Sequence, residues 1–334
     1  MFGTTELLES MKEKAMLGFN YSNRLYMQRI IKFLEHKEID FDKWDACVGS
    51  NTFPKPYGFS WYLNWLTDQW QGVVYGDYEA VLPVFVQSKY GIRFSTRPYG
   101  TQSVGPYAKI PLTAELINDL VDEAMKHVQY AEFFMEPNLL FADWRPKSYS
   151  NYTIDTTEDY EILQNRMSSQ NKRNLKKAEK AKFELADWAT VKDAVQLWHN
   201  NVQKKTRIRH EDFNRLGKLL EFCHYQKRGV LYAVRDEYNQ LCGAQFWVVY
   251  QGRSTLLLNA STPWGKSHGV STWLIDRHMR SVAGRAHQMD FEGSSIAGLK
   301  RFYSGFGAKD EPFSMHVENR LPLFLRWLKT ATTR

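Results

Sequence analysis

The chain has 334 residues, of which 43 % are apolar, 24 % charged and 15 % aromatic, and a formal net charge of +7. This is room for two domains of ordinary globular composition, and the positive balance suits anionic partners, phosphates, nucleic acid or an anionic membrane face, and equally well solubility alone. No apolar run approaches the roughly 20 residues of a membrane helix. No secretory signal opens the chain. Cys47, Cys223 and Cys242 form neither a disulfide framework nor a metal spacing; the expectation is a cytoplasmic protein without metal.

Taken in order, residues 1–26 are expected to be an N-terminal extension and 27–150 a first domain. That domain reads as a strand at Ile30–Leu34, helices at Phe41–Cys47 and Ser60–Leu66, and strands at Gly72–Tyr75, Glu79–Gln87 and Ile92–Thr96, with turns at Gly76-Asp77 and Tyr90-Gly91. A helix capped by Thr113 and a strand ending in Glu136 follow, and Pro137 and Pro146 bracket an irregular boundary. The second domain, 151–334, reads as a strand at Tyr152–Ile154 and helices at Glu158–Lys182, Val191–Gln203 and Glu211–Lys227. Strands at Gly229–Arg235, Cys242–Tyr250 and Ser254–Ala260 lead to a helix at Ser267–Val282 and a strand at Gln288–Glu292. A short helix at Ile296–Ser304, a strand at Pro312–Val317 and a helix at Leu321–Lys329 end the chain.

The order of elements recurs. Gly72 and Gly229, which open the two sets of strands, lie 157 residues apart, and the strand-end glutamates Glu136 and Glu292 lie 156 apart. A duplicated domain of mixed α/β sheets is implied, with a cleft between the copies.

Three segments carry candidate chemistry. On a helix, Lys172, Arg173, Lys176, Lys177 and Lys180 fall in one arc of about 140°, with Met167, Leu175 and Ala178 opposite. Asn171 and Asn174 share the apolar side, where they are costly to bury. The segment is either a solvated basic face or a phosphate or polyanion site with the asparagines in a cleft. Next, period 2 puts Asp290 and Glu292 on one strand face. A carboxylate at a strand end beside a glycine loop is placed to take a proton from an amine, the plainer alternative being a helix-capping acid. Last, Gly265-Lys-Ser-His-Gly269 matches G-x-S-x-G only formally, because Pro263 and Trp264 break the strand that a nucleophile elbow requires. A loop opening a helix, with Lys266, Ser267, His268 and Gly269 holding a pyrophosphate on backbone amides, fits better. The chain has no P-loop, no G-x-G-x-x-G, no H-E-x-x-H and no Cys-x-x-Cys.

Asn171-Lys-Arg-Asn-Leu-Lys-Lys-Ala178 resembles the R-x-N-x-K-K-A helix of FemAB-like aminoacyltransferases. Asn259-Ala-Ser-Thr262 is similar to their strand-end G-A-S-S, and Gly298-Leu-Lys-Arg-Phe-Tyr-Ser-Gly-Phe-Gly307 to their G-L-Y-R-F-K-K-G-F-G. The likeness is best over 150–318, and without an inserted coiled-coil arm the chain looks like the compact bacterial relatives. It implies two GNAT (acyl-CoA N-acyltransferase) folds in tandem. It also implies transfer of an aminoacyl group from aminoacyl-tRNA, or an acyl group from acyl-CoA, to an amine, in the family that of a cell-wall precursor. No tightly bound cofactor is implied. Arg301 and Phe302 match the family; its oxyanion lysine is replaced by Tyr303 or Ser304, with Lys300 one turn back.

The expected site is thus Glu292 or Asp290 for the amine proton and Arg301, Lys300 or Tyr303 for the oxyanion. Asn171, Arg173, Asn174, Lys176, Lys177, Asn259, Ser261 and Trp264 would bind a phosphate-bearing donor or acceptor, tRNA among the candidates. Two rivals remain: an acyl-CoA-dependent acetyltransferase acting on a small amine or sugar, and a non-catalytic basic module that binds nucleic acid or an anionic polymer.

Overall fold

The computed structural model describes residues 30–136, 147–202, 208–293, 296–322 and 325. The expected extension over 1–26, Pro137, Pro146 and most of the expected terminal helix lie outside these residues.

The first half runs β1 (Ile31–Leu34), α1 (Phe41–Val48), α2 (Ser60–Leu66), β2 (Gln71–Tyr75), β3 (Ala80–Val84), β4 (Val86–Lys89) and β5 (Ile92–Ser95). It continues with β6 (Tyr107–Ala108), α3 (Ala114–Met125), β7 (Tyr130–Met135) and β8 (Lys147–Tyr149). The second half runs β9 (Tyr152–Asp155), α4 (Tyr160–Asn165), α5 (Ser169–Lys180), β10 (Glu184–Leu185), α6 (Val191–Val202), α7 (His210–Tyr225), β11 (Gly229–Arg235), β12 (Leu241–Tyr250) and β13 (Arg253–Ser261). Then come α8 (Pro263–Ser267), α9 (Val270–Val282), β14 (Gln288–Asp290), α10 (Ala297–Ser304), β15 (Lys309–Asp310) and β16 (Phe313–Asn319).

One helix expected to be continuous is broken, and another starts three residues later than expected after an unexpected helical turn, each for a local reason. Between α4 and α5 the Ser168 hydroxyl accepts the Asn171 amide N–H at 3.2 Å, a helix N-cap that starts a new axis. Between α8 and α9, Gly269 adopts φ 82°, the left-handed conformation; a Cβ there would also lie 2.6 Å from the Asn174 carbonyl. The α3 helix forms as its pattern dictates: Thr113 caps it and Leu116, Ile117, Leu120, Val121 and Ala124 are buried.

The repeat is present in the strand connections. In the second half β11, β12 and β13 are successively antiparallel, and β13 pairs parallel with β14 after α9. In the first half β2–β3 and β4–β5 are antiparallel, and β5 pairs parallel with β7 after α3. The first copy differs in having its second strand broken at Phe85, whose N–H donates to the Ser95 hydroxyl at 3.0 Å.

One strand of the second half crosses to the first. β9 opens the second half and stays in its sheet, whose order is β10-β11-β12-β13-β14-β9-β15. β16 follows β15, yet it joins the first half in the order β4-β5-β7-β16-β8. Phe313 lies opposite Tyr149 and Ser314 opposite Met135, while Asp310 lies opposite Tyr152. The boundary near residue 150 is therefore crossed by strand pairing in one direction, from the second half to the first. The main core is also shared: Trp44, Tyr57, Phe59, Tyr62 and Trp70 pack with Leu219, Cys223, Phe246 and Leu258.

Ser314 is buried near the start of that crossing strand, opposite Met135 and Ser148. Ser314→Pro removes a ladder donor from a central strand. Hydrogen exchange should then show lost amide protection in β7 and β8, far away in sequence, with β11 to β13 still protected. Loss confined to the second half would contradict the crossing of β16.

Candidate active site

The site begins where β13 and β14 part. They pair only from Arg253–Thr255 to Gln288–Asp290; β14 then ends while β13 continues to Ser261. A bulge falls at the same place, since Phe246 faces Leu258 and Trp247 faces Leu256, leaving Leu257 unmatched. Leu257 lines a cavity of about 590 Å³ between the halves. Phe85, Arg97 and Tyr99 of the first half and Trp198, Leu257 and Glu292 of the second are among its walls.

Glu292 lies two residues past the end of β14, which stops at Asp290 rather than at Glu292 as expected. Its φ is 58°, the left-handed region that a glutamate seldom occupies unless its surroundings hold it there. The holding contact is visible: its N–H donates to Asp290 Oδ1 at 2.8 Å. Asp290 in turn is fully buried and its Oδ2 accepts from Arg253 Nη1 at 2.6 Å. Arg253 also donates from Nε to the Phe53 carbonyl at 2.7 Å and from Nη2 to Gln288. Asp290, expected to share the proton transfer, is instead the buried partner of Arg253 and the anchor of the Glu292 backbone.

The Glu292 carboxylate accepts a hydrogen bond from the Tyr57 hydroxyl at 2.5 Å. Burial pushes its pKa up to about 7. The Tyr57 bond and the charges of Arg97 and Lys55 pull it down, and the Asp290 charge pushes it up. Near neutral pH this group both holds and releases a proton, which suits a general base.

Tyr303 is buried with its ring stacked on Phe291, centroids 5.1 Å apart and planes 8° off parallel. Burial above all pushes its hydroxyl up to about 12, opposed by a hydrogen bond from Asn259 and aided by the Glu292 charge. Asn259, Tyr303 and Glu292 are thus brought together, and Tyr303 remains a hydroxyl donor at neutral pH. The other two expected oxyanion donors are placed differently. Lys300 donates to the Ser150 hydroxyl at 3.0 Å and Arg301 is exposed.

The expected binding residues form a second group, and none of them lines the cavity. Asn171 is buried and donates to the Phe302 carbonyl at 3.2 Å, so it ties α5 to α10 instead of entering a cleft. Asn174 and Arg173 bond to Gln170, while Lys176 and Lys177 are exposed. The start of α9 packs on α5, bringing the basic helix beside Gly269. Trp264 stacks on His268 at 4.3 Å, Thr262 caps α8, and Ser261 pairs with Gly243. The amides of Lys266, His268 and Gly269 donate to carbonyls inside that turn, and the Ser267 hydroxyl to Trp264. The loop therefore spends these amides on its own folding; unbonded helix-start amides begin at the first turn of α9.

The structure adds Tyr57, Arg97, Tyr99, Trp198 and Arg253, which no motif marks. Among the described residues no cluster of His, Cys, Asp and Glu could hold a metal ion.

The equivalent glutamate of the first copy, Glu136, is placed differently. Its Oε1 accepts from Lys55 Nζ at 2.7 Å and from the Ser103 hydroxyl at 2.9 Å, beside a cavity of about 180 Å³. Lys55 and Tyr57 are two residues apart, so one short segment supplies a partner to each copy's glutamate.

No protein-family model and no curated protein matches the chain. Solved structures do. FemX superposes with a TM-score of 0.59 at 12 % identity, over 85 % of this chain and 96 % of that one. The C-terminal domain (DUF2156) of a putative lysylphosphatidylglycerol synthetase from Agrobacterium fabrum gives 0.55 at 14 %, over 88 % and 96 %. A tandem GNAT protein from the clavulanic acid biosynthesis pathway gives 0.51 at 9 %, over 88 % and 99 %. At these identities the likeness is one of fold, and the fold is two GNAT-like units in tandem, related to that of FemAB-like proteins.

Proposed function

We propose that the chain is an N-acyl or N-aminoacyl transferase that moves its group from a phosphate-bearing donor to an amine in the cavity, with Glu292 accepting the amine's proton. The carrying observation is Glu292 itself: a strand-end carboxylate on the wall of a 590 Å³ cavity with a pKa near 7. The fold is that of proteins whose names include a tandem GNAT protein and a putative lysylphosphatidylglycerol synthetase. An alkylammonium near pKa 10 cannot attack a carbonyl. A carboxylate raised to about 7 removes its proton more readily than an ordinary one. The amine nitrogen then forms a bond to the donor's carbonyl carbon, and the carbonyl oxygen takes the charge. The Tyr303 hydroxyl, still protonated, is the neutral donor for that oxygen. Collapse breaks the thioester or ester bond; the nitrogen gives its remaining extra proton to the leaving sulfur or oxygen, and the proton held by Glu292 passes to solvent.

Acyl-CoA and aminoacyl-tRNA are the two donor classes implied by the resemblance, and both carry phosphates. The exposed Lys176 and Lys177 beside the start of α9 supply a cationic surface for them. Either donor belongs to the cytoplasm, and among the described residues no helix is long and apolar enough to cross a membrane.

The test is a transferase assay over a panel of acyl-CoA thioesters, read by thiol release, and of charged tRNAs. Glu292→Gln should lower kcat on the order of 10² to 10⁴. It should not lower the melting temperature. Because the folded pKa of Glu292 is above its ordinary 4.5, its contribution to stability is complete below that pH and fades as pH rises through about 7. The variant should therefore gain on the wild type across that window. Asp290→Asn should do the reverse: leaving Arg253 buried without its partner costs about 3–5 kcal/mol, a large drop in melting temperature. Full activity in Glu292→Gln would move the base elsewhere.

The rate should rise with pH through an inflection near 7, as the base ionises. Tyr57→Phe removes a bond that favours the ionised form, so this inflection should move to higher pH. An unmoved inflection would detach Tyr57 from the base.

Charge reversal at Lys176 and Lys177 should raise KM for the donor, and added salt should do the same in the wild type. Salt-sensitive RNA binding with no transfer from any donor would favour the non-catalytic rival.

A further inference from the structure

Three arginines line the 590 Å³ cavity, Arg97, Arg209 and Arg215. Two are satisfied within the protein. Arg209 forks onto Asp212 with both bonds at 2.7 Å, and Arg215 bonds Asp68 and Glu211 at 2.5 and 2.7 Å. Arg97 differs. It follows β5, its guanidinium lies 3.8 Å above the Phe134 ring, and one N–H donates to the Gln102 carbonyl at 2.5 Å. Among the described residues no carboxylate pairs with it, and burial lowers its pKa. A guanidinium taken largely out of water without a counter-ion is costly, and the remaining N–H groups are donors without protein acceptors.

Glu292 is the complementary case: a carboxylate on the same cavity whose bonded partner is the neutral Tyr57 hydroxyl. The two charges influence each other but are not bonded. A molecule with an ammonium at one point and an anion at the other would satisfy both. The planar fork of arginine matches a carboxylate in two parallel hydrogen bonds. A phosphate carries roughly two negative charges and would meet Glu292 and Asp212 with one unpaired cation to offset it. Phe85, Tyr99, Trp198 and Leu257 offer apolar wall for a carbon skeleton, and the volume is that of a small-molecule site.

We propose that the acceptor is a small amino acid, its carboxylate held by Arg97 while its amine faces Glu292. This rests on the transferase reading only for the fate of the amine; the carboxylate anchor is a binding claim.

Isothermal titration calorimetry of the full chain with the protein amino acids, β-alanine and γ-aminobutyrate tests it without a donor. At least one should bind. Its carboxamide and its decarboxylated amine should bind on the order of 10- to 100-fold more weakly, the range for charge-assisted hydrogen bonds. Arg97→Gln should weaken the amino acid by a similar factor and abolish the preference for acid over amide. Arg97→Lys, which keeps charge but loses the fork, should fall between. Equal binding of acid and amide by the wild type would overturn the assignment, and needs no variant to fold. So would no amino acid binding at millimolar concentration. An Arg97→Gln that lowers kcat at unchanged KM would also overturn it, assigning Arg97 to the oxyanion. Turnover with plain amines as fast as with amino acids would sink the anchor and leave the transferase standing. Acid-selective binding lost in Arg97→Gln, with no donor ever consumed, would sink the transferase and leave the anchor.

Discussion

The buried pair of Arg253 and Asp290 joins everything that the site requires. Taking two charges out of water costs several kcal/mol each, and their mutual attraction offsets this only when every remaining donor and acceptor is used. Here they are used. Arg253 reaches Gln288 on its own side and the Phe53 carbonyl of the other half, and the second Asp290 oxygen takes the Glu292 amide. One interaction therefore pins the short parallel pairing of β13 and β14, fastens the two halves, and holds Glu292 at a φ of 58° that its own chemistry disfavours. Its value lies in geometry more than in net stability.

The crossing strand and the shared core make that geometry rigid. A tandem pair joined by a linker could hinge about its cleft. Here a hinge would have to break the β7–β16–β8 ladder and a core shared by Trp44, Tyr57, Phe246 and Leu258. Residues from both halves can then face one cavity at fixed separation, as Arg97 and Glu292 do, and a constellation on rigid elements keeps productive distances that a loop-borne one loses.

Much of this was legible in the chain. The offsets of 157 and 156 residues survive because each copy keeps its strand meander, helix and closing strand. Glu292 was singled out because a charged residue closes an apolar run before glycine. Asp290 was read onto the same strand face by period 2, but the strand stops at Asp290 and Glu292 lies past it at φ 58°. A single strand also does not show that Arg253 on its neighbour claims the Asp290 carboxylate. Asn171 was placed on the buried side of its helix; that its amide meets the Phe302 carbonyl depends on α10 packing there. The break at Ser168 and the start of α9 after Gly269 have local signals, a serine cap and a glycine, which the helical periodicity beyond them outweighed. Tyr57 and Arg97 had none. They come to Glu292's cavity from the other half of the chain, through a packing of the halves that no hydrophobic pattern encodes, since alternation states which face is buried and not what lies against it.

Duplication made two strand-end glutamates, and the segment Lys55-Pro56-Tyr57 treats them differently. Toward Glu136 it sends an ammonium, which with the Ser103 hydroxyl occupies the oxygen that a substrate would need. Toward Glu292 it sends a hydroxyl, which orients the carboxylate without cancelling its charge. The cavities differ in the same sense, about 180 Å³ against about 590 Å³. An ion pair made on one copy costs that copy its reactive oxygen and frees its elements for another task. On the proposed function the first copy has become a wall of the second copy's site, contributing Tyr57 to set the base and Arg97 to face the substrate. One centre per chain, built from both copies, then follows from which of two residues, a lysine or a tyrosine, meets each glutamate.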